Sequence, residues 1–268
     1  MIKIAILGCG NMGKALIGGI SNAFGSKCSL TVFDLNPVAL SGLPESVVIH
    51  RFEDWFQNPR DLPDIVILAV KPADIASALK QIGKPELVSK PLWVSIAAGV
   101  TISKLSEHLP GESRICRVMP NTPALVGEGM SAFSLNQLCT QNDADTVSAI
   151  FNSIGKCVQV PEKLMDAVTG LSGSGPAYVF LFIEALIEGG VTAGLPLPVA
   201  RECAIQTVIG AAKMVASGSE HPAALKMKVM SPAGTTAQGC KTLEQHGFKH
   251  AVISAVGDAA KRSAELGK

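Results

Sequence analysis

The feature that most constrains the fold is a glycine-rich turn placed directly after an apolar run. Residues 8–13 read Gly-Cys-Gly-Asn-Met-Gly, which fits G-x-G-x-x-G, with apolar residues 4–7 before it and a helix-like segment after it. The first glycine permits the tight turn, the second lets a pyrophosphate approach the backbone, and the third lets helix and strand pack closely. The N–H groups of the first helical turn then face the phosphates. The predicted dinucleotide contacts in this glycine-rich turn are Gly8, Gly10, Asn11, Met12 and Gly13.

The first 160 residues alternate short apolar runs with helix-like segments. Strands are predicted over residues 3–7, 30–34, 47–50, 65–70, 93–97, 115–119, 131–134 and 157–160. Residues 65–70 are apolar throughout, which is typical of a strand buried on both faces. Helices are predicted over residues 12–22, 73–82 and 144–154. This alternation predicts an α/β fold with a doubly wound parallel sheet covered by helices.

The second predicted strand ends at Asp34, 24 positions after Gly10. A carboxylate there accepts hydrogen bonds from the adenosine ribose hydroxyls and repels a 2′-phosphate. Asn36 follows closely, and residues 35–37 contain no arginine that would hold such a phosphate. The pattern favours NADH over NADPH, although residues 34–37 also fit an ordinary turn.

Three further strands end in turns that are expected to meet. In doubly wound sheets, ligands bind beyond the carboxyl ends of the strands, so these turns should line one crevice for a nicotinamide ring. The predicted cofactor contacts in them are Ala69, Val70, Lys71, Pro72, Ala97, Ala98 and Asn121. Lys71 fits an exposed cation equally well, and its use near a cofactor would come mainly from backbone atoms.

After residue 160 the strands give way to four long helical segments. The first is predicted to begin at residues 174–176 and to end near residues 189–194, and the second to run from residue 197 to about 217. The third is predicted from about residue 234 to 247 and the fourth from residue 249 to 266. The first carries more apolar residues than one small helical domain can easily bury, among them Phe180 and Leu181. A partner subunit is expected to cover the excess, the alternative being the first domain of the same chain. We predict one domain over residues 1–161 and a second over residues 162–268.

Composition argues against several other classes. The formal net charge is +1 without a dense basic patch, so no nucleic-acid partner is expected. The longest uncharged run, residues 167–183, holds three glycines, a proline and two serines, and falls short of the roughly 18–20 apolar residues of a membrane span. We expect a buried helix there, with a polar loop at its start, and no membrane partner. Seven scattered cysteines without a CxxC pair are typical of reduced thiols in a cytoplasmic protein, and the five histidines predict no metal site.

A second polar segment near the C-terminus is the best clue to the substrate. Residues 230–237, here called the hydroxyl loop, read Met-Ser-Pro-Ala-Gly-Thr-Thr-Ala. Gly234 lets a backbone come close to a ligand, and the hydroxyls of Thr235 and Thr236 follow where a helix begins. Backbone N–H groups there would bind a carboxylate with help from the helix dipole. Judged by residue type alone, capping of the helix is the more ordinary role for both threonines.

Together these stretches resemble pyrroline-5-carboxylate reductase, the last enzyme of proline synthesis. The likeness extends over nearly the whole chain and is carried by residues 8–15, 69–72, 95–100, 119–123, 173–180 and 231–236. The first two motifs are shared by many dehydrogenases, whereas the last two are much more specific. The resemblance implies NADPH- or NADH-dependent reduction of 1-pyrroline-5-carboxylate to L-proline. It also implies a Rossmann-type domain followed by an all-α dimerisation domain, in a homodimer or a larger assembly of dimers.

The resemblance also implies roles for residues of the hydroxyl loop. Thr236 resembles the catalytic hydroxyl that faces the substrate nitrogen, and the backbone of residues 231–236 resembles the holder of the carboxylate. The implied substrate-binding residues are Ser231, Gly234, Thr235 and Thr236, with capping and contact equally open for Thr235. Ala233 departs from the family because glycine is usual there. Asp34 lies where the family varies, and since many members prefer NADPH, the choice of cofactor stays open.

Two other functions fit part of the sequence. A 3-hydroxyacid dehydrogenase or ketoacid reductase on the same two-domain plan usually places a proton-donating lysine in its helical domain. Residues 177–193 contain no lysine, which counts against this function. A catalytically silent, nucleotide-sensing protein would need the first half of the chain but not the hydroxyl loop.

Overall fold

The computed structural model describes residues 1–50, 56, 62–80 and 85–267. The chain forms two compact units, of which the first comprises Met1–Ser174 with Gly257–Lys268 and the second comprises Gly175–Val256. Residues 162–174 and the end of the last helix thus group with the first unit. The division into functional domains at residue 161 stays a prediction.

The first unit is built on one eight-stranded sheet. The strands are β1 (Ile2–Leu7), β2 (Cys28–Phe33), β3 (Val47–Ile49), β4 (Ile65–Leu68), β5 (Leu92–Ser95), β6 (Arg114–Met119), β7 (Gly129–Leu135) and β8 (Gly155–Gln159). Their order is β3-β2-β1-β4-β5-β6-β7-β8, so the direction of winding reverses between β1 and β4. All eight predicted strands are confirmed. The order of the first six is that of a Rossmann sheet.

One pairing departs from the predicted parallel sheet. β7 runs antiparallel to β6, whereas β8 is again parallel to β7. The cause is the length of the connection, because only residues 120–128 join Met119 to Gly129. A parallel crossover needs a dozen residues or more, so this chain can only turn back.

Both faces of the sheet are covered by helices of the first unit. These are α1 (Asn11–Phe24), α2 (Ile75–Leu79), α3 (Pro85–Val88), α4 (Ile102–Ser106), α5 (Gln141–Asn152) and α6 (Met165–Val168). In β1, Ile4 and Ile6 join the core that contains residues of α1 and α5, while Ala5 and Leu7 join the core on the other face. The predicted helices over residues 12–22 and 144–154 are confirmed. The one over residues 73–82 is a 3₁₀ turn followed by α2, and residues 81–82 lie outside the described residues.

The rest of the chain is helical. After one π turn at Thr169–Gly173 follow α7 (Gly175–Thr192), α8 (Leu197–Ser217), α9 (Pro222–Val229), α10 (Thr235–Gln245) and α11 (Phe248–Leu266). The four long predicted helices are confirmed, and the predicted end of α7 at Gly189-Gly190 or Gly194 corresponds to Thr192. Helix α9 was not predicted, although Pro222 occupies the first-turn position that proline favours.

Helix α7 is not buried by its own chain. It contains no buried residue, and Phe180 and Leu181 are 62% and 67% exposed. The prediction of a buried helix is therefore wrong for the single chain. By length and composition alone, the helical stretch Glu162–Thr192 would be able to cross a membrane, with only 6% of its apolar window buried. Such an apolar surface indicates a binding partner.

Candidate functional site

The glycine-rich turn lies where β1 ends and α1 begins, at the reversal of strand order. Gly8 has φ +104°, and a Cβ added to it would lie 2.6 Å from the carbonyl oxygen of Ala69 in the turn after β4. A Cβ on Gly13 would overlap the carbonyl oxygen of Gly8. The space beside Gly10 is open, with no atom within 4 Å of where a Cβ would stand. A ligand can therefore approach the backbone at Gly10, as the motif requires.

The N-terminus of α1 offers free backbone donors beside this opening. Gly10 is the N-cap and no side chain caps the helix, so the N–H groups of Asn11, Met12 and Gly13 have no intrahelical acceptor. Cys9, between the first two glycines, is buried, and burial together with the nearby charge of Asp34 raises the pKa of its thiol to about 11. The thiol is therefore neutral at physiological pH. It adds no negative charge that would repel a phosphate group.

Asp34 holds the turn after β2. One carboxylate oxygen accepts the N–H of Cys9 at 2.6 Å and the other accepts the N–H of Asn36 at 2.8 Å. The side-chain oxygen of Asn36 in turn accepts the N–H of Val38 and caps the following 3₁₀ turn. The interpretation of residues 34–37 as a turn is thus confirmed. A carboxylate has about four acceptor positions, so capacity for a ribose hydroxyl is left.

The turns after β4, β5 and β6 lie at one edge of the sheet, because these strands are parallel neighbours. Lys71 is exposed and forms no ion pair with the described residues, in keeping with a plain exposed cation. Ala98 is exposed in the turn after β5, whereas its neighbours Ala97 and Gly99 are buried. The structure therefore brings these predicted residues to the edge at which the glycine-rich turn also lies.

The side chain of Asn121, after β6, is used inside the protein. Its amide nitrogen donates to the carbonyl oxygen of Ser172 at 3.0 Å, and its amide oxygen accepts the N–H of Met130 at 2.8 Å. The residue predicted to contact the cofactor thus ties the edge of the sheet to the π turn that precedes α7. The sequence alone did not indicate this role, because Ser172 is 51 residues away from Asn121 in the chain.

The hydroxyl loop forms a tight turn at the start of α10. The N–H of Gly234 donates to the carbonyl oxygen of Ser231 at 3.0 Å, and a Cβ on Gly234 would overlap the Ser231 hydroxyl. Ala233 has φ +56° and is the only non-glycine residue of the described chain in the left-handed region. The position where the sequence departs from the family is thus the one where glycine would be unstrained.

The two threonines of the hydroxyl loop do not cap α10. Gly234 is the N-cap and no side chain caps this helix, so the capping interpretation is wrong for Thr235 and Thr236. Neither hydroxyl has a hydrogen-bond partner within the described part of the chain. Their backbone N–H groups belong to the first helical turn and lack intrahelical acceptors. This loop therefore presents both hydroxyl and N–H donors to a ligand.

Residues 1–50, 56, 62–80 and 85–267 contain no group of three or more His, Cys, Asp or Glu side chains that would hold a metal ion. Residues 230–237 contain no ionisable side chain.

Comparison with family profiles assigns the two parts of the chain separately. Residues 162–266 match pyrroline-5-carboxylate reductase dimerisation, and residues 3–99 match NADP oxidoreductase, coenzyme F420-dependent. The first match contains the exposed α7 and the hydroxyl loop. The second contains the glycine-rich turn and the turns after β4 and β5.

Comparison with individual proteins covers nearly the whole chain. The pyrroline-5-carboxylate reductase of Escherichia coli K12 is 41% identical over 99% of this chain and 98% of its own length, and that of Arabidopsis thaliana is 48% identical over 98% and 95%. Among solved structures, the Plasmodium falciparum pyrroline carboxylate reductase with NADP bound has a TM-score of 0.86 at 37% identity, covering 100% of this chain and 98% of that one. The enzyme from Coxiella burnetii has a TM-score of 0.88 at 32% identity, covering 99% and 98%.

Proposed function

This chain belongs to the pyrroline-5-carboxylate reductase family, and we propose that its glycine-rich turn and its hydroxyl loop hold the two reactants of the family's reaction. The chain reduces 1-pyrroline-5-carboxylate, a small cyclic imine, to L-proline with NAD(P)H, and it assembles as a homo-oligomer. The observation that carries the placement of the imine is the pair of hydroxyls of Thr235 and Thr236, which have no partner in the described chain.

The residues around the glycine-rich turn fit a dinucleotide. The open space at Gly10 and the free N–H groups of Asn11 and Met12 suit its pyrophosphate. Asp34 lies where a ribose hydroxyl would be bound, and Ala98 is exposed at the edge where a nicotinamide ring belongs. When bound, NAD(P)H supplies the hydride, and the protein supplies orientation and a polar environment.

The hydroxyl loop suits the imine. Backbone N–H groups at the start of α10 would bind its carboxylate, with help from the helix dipole. The Thr236 hydroxyl would hydrogen-bond the ring nitrogen while the positive charge of the protonated imine disappears. A protonated imine is already electrophilic, so no strong acid is needed. This agrees with a loop that contains no ionisable side chain.

Replacement of Thr236 by alanine tests the assigned role. We predict that Thr236→Ala lowers kcat/KM for the imine by roughly ten- to a thousandfold, or about 1.4–4 kcal/mol of transition-state stabilisation. Thr236→Ser keeps the hydroxyl and should retain most of the activity. Thr242→Ala removes a hydroxyl from the same helix that bonds only the carbonyl oxygen of Gln238, and serves as the matched control. An unchanged kcat/KM in Thr236→Ala would remove this residue from the catalytic site.

Substrate choice separates the function from its rivals. The purified protein is mixed with NADH or NADPH and with either 1-pyrroline-5-carboxylate or a ketoacid, and oxidation is followed at the nicotinamide absorbance band. We expect turnover with the imine only. Turnover of the ketoacid alone would indicate the dehydrogenase function, and cofactor binding without turnover would indicate a sensing protein. We also propose a cytoplasmic enzyme without nucleic-acid or membrane partners, in line with a net charge of +1 and seven free cysteines.

A further inference from the structure

A buried arginine lies outside the site described so far. The side chain of Arg117, in β6, is only 5% exposed, and its guanidinium nitrogens lie 3.5 Å from Glu162 Oε1 and 3.6 Å from Asp166 Oδ1. Both carboxylates are about one-third exposed, at 35% and 36%. An ion pair of this kind is weak evidence for stability, because desolvation of the charge offsets the attraction. The cluster is better explained by what its two carboxylates hold in place.

The first carboxylate reaches the segment that follows the turn after β5. Glu162 Oε1 accepts the backbone N–H of Ile102 at 2.8 Å, and Ile102 is the first residue of α4. Only Val100 and Thr101 separate it from residues 97–99, here called the nicotinamide turn. Arg117 and Glu162 therefore hold the downstream side of this turn.

The second carboxylate reaches the same turn through α11. Asp166 Oδ1 accepts the hydroxyl of Ser263 at 2.7 Å, and Ser263 is only 5% exposed. Three residues later the helix meets Gly99, where an added Cβ would lie 3.5 Å from the Cβ of Leu266. The backbone nitrogen of Gly267 would be 3.7 Å from the same point. The end of α11 thus packs directly against the nicotinamide turn.

We propose that Arg117 is a positioning residue, which fixes the position of the nicotinamide turn through two arms. The first arm runs from Glu162 to Ile102. The second arm runs from Asp166 through Ser263 to the end of α11. The proposal rests on the proposed function for the placement of the nicotinamide at residues 97–99. It accounts for a buried guanidinium in β6, an interior strand of the sheet. It also gives the end of α11 a part in positioning the cofactor.

Ser263→Ala tests the second arm with little disturbance of the fold. Loss of one hydrogen bond should raise KM for NAD(P)H by about three- to tenfold, while KM for the imine changes by less than about twofold. A merely structural role would lower the melting temperature without this split between the two KM values. Ser153→Ala is the matched control, because its hydroxyl bonds only the carbonyl oxygen of Ile150 at the end of α5. It should change neither KM.

Arg117→Lys tests the role of the guanidinium that joins the two arms. Lysine keeps the positive charge between the two carboxylates but cannot reach both with a planar fork. We expect a folded protein in which KM for NAD(P)H rises by more than in Ser263→Ala. If Arg117→Met folds, its KM for NAD(P)H should rise further than that of Arg117→Lys, because methionine carries no charge to hold the two carboxylates. Equal KM values for NAD(P)H in wild type, Ser263→Ala and Arg117→Lys would overturn the proposal.

A substitution in the turn itself separates failure of this inference from failure of the proposed function. Ala98→Val places two methyl groups on the exposed face of the nicotinamide turn. A raised KM for NAD(P)H in Ala98→Val, with wild-type values in Ser263→Ala and Arg117→Lys, would overturn only the role of Arg117. Wild-type values in all three variants would show that residues 97–99 do not face the nicotinamide, and both assignments would fail. Raised values in all three are the result expected.

Discussion

At the scale of single residues, Ala233 is the most unusual position of the hydroxyl loop. An L-residue in the left-handed region costs roughly 1–2 kcal/mol, whereas glycine there is unstrained but loses more entropy on folding. We predict that Ala233→Gly leaves the free energy of unfolding unchanged or raises it by up to about 1 kcal/mol. Ala224→Gly, in the exposed helix α9, should instead lower it by about 1 kcal/mol. Denaturant titration of both variants measures these free energies of unfolding. A clear loss of stability in Ala233→Gly would contradict the assignment of backbone strain to Ala233.

Asp34 carries the prediction about cofactor choice. Asp34→Ser removes the charge that would repel a 2′-phosphate, so the ratio of kcat/KM with NADPH to that with NADH should rise by roughly tenfold. The variant should also lose some stability, since the carboxylate accepts the N–H groups of Cys9 and Asn36. Glu45→Ser removes an exposed carboxylate away from the strand end and controls for net charge. An unaltered ratio in Asp34→Ser would show that this carboxylate only holds the turn and does not discriminate between a ribose hydroxyl and a 2′-phosphate.

Residue types predicted the backbone conformation of the turns better than the hydrogen bonds of individual side chains. The conformation of the glycine-rich turn was predictable, because Gly8 has a positive φ and the close approach of Gly13 is to Gly8, five residues before it. The capping role of Thr235 was wrong by one position, since the turn at Ser231 makes Gly234 the N-cap. The bond of Asn121 to Ser172 and that of Arg117 to Glu162 were not predictable, because these partners lie 51 and 45 residues away. Such pairs depend on tertiary packing and leave no local periodicity in the sequence.

At the scale of elements, the junction of β1 and α1 depends on one close approach. A Cβ on Gly13 would overlap the carbonyl oxygen of Gly8, and backbone cannot rotate away as a side chain can. We predict that Gly13→Ala destabilises the protein by about 1–3 kcal/mol or more and weakens NAD(P)H binding at least tenfold, because the turn must open. Gly18→Ala, in the same helix with no atom within 4 Å, should stabilise by up to about 1 kcal/mol. Thermal unfolding and cofactor titration check both variants, and similar behaviour of the two would contradict the packing argument.

The elements themselves were largely predictable. All eight strands were predicted from short apolar runs, which are continuous in a central strand such as β4 because it is buried on both faces. The direction of β7 was missed, although the nine-residue connection of residues 120–128 carries the signal. The short α9 was missed because helices of eight residues show little periodicity. The apolar excess of α7 was predictable from its composition, whereas its cover was not, since an apolar helix has the same sequence pattern whether its own chain or a second copy buries it.

At the scale of the whole molecule, the single chain leaves an apolar surface on α7 exposed to water. The exposed apolar side chains of α7, including Phe180 and Leu181, lie within the residues that match a dimerisation family. Partial covering of such a surface by another copy contributes about 25 cal/mol for each Å² of apolar area removed from water. A charge placed on it would have to be desolvated when the subunits meet. Association should therefore be sensitive to charge at these two positions and indifferent to charge on exposed apolar residues of the first unit.

We predict that the double variant Phe180→Asp and Leu181→Asp shifts the protein toward monomers and lowers its melting temperature. The measure is the molar mass from size-exclusion chromatography with light scattering, taken at several protein concentrations because association follows mass action. Leu138→Asp charges a residue that is 49% exposed, just before α5 in the first unit, and should leave the molar mass unchanged. If α7 instead contacted lipid, the wild type would co-sediment with vesicles and the double variant would not. A double variant with the mass of the wild type would show that the subunits meet through another surface.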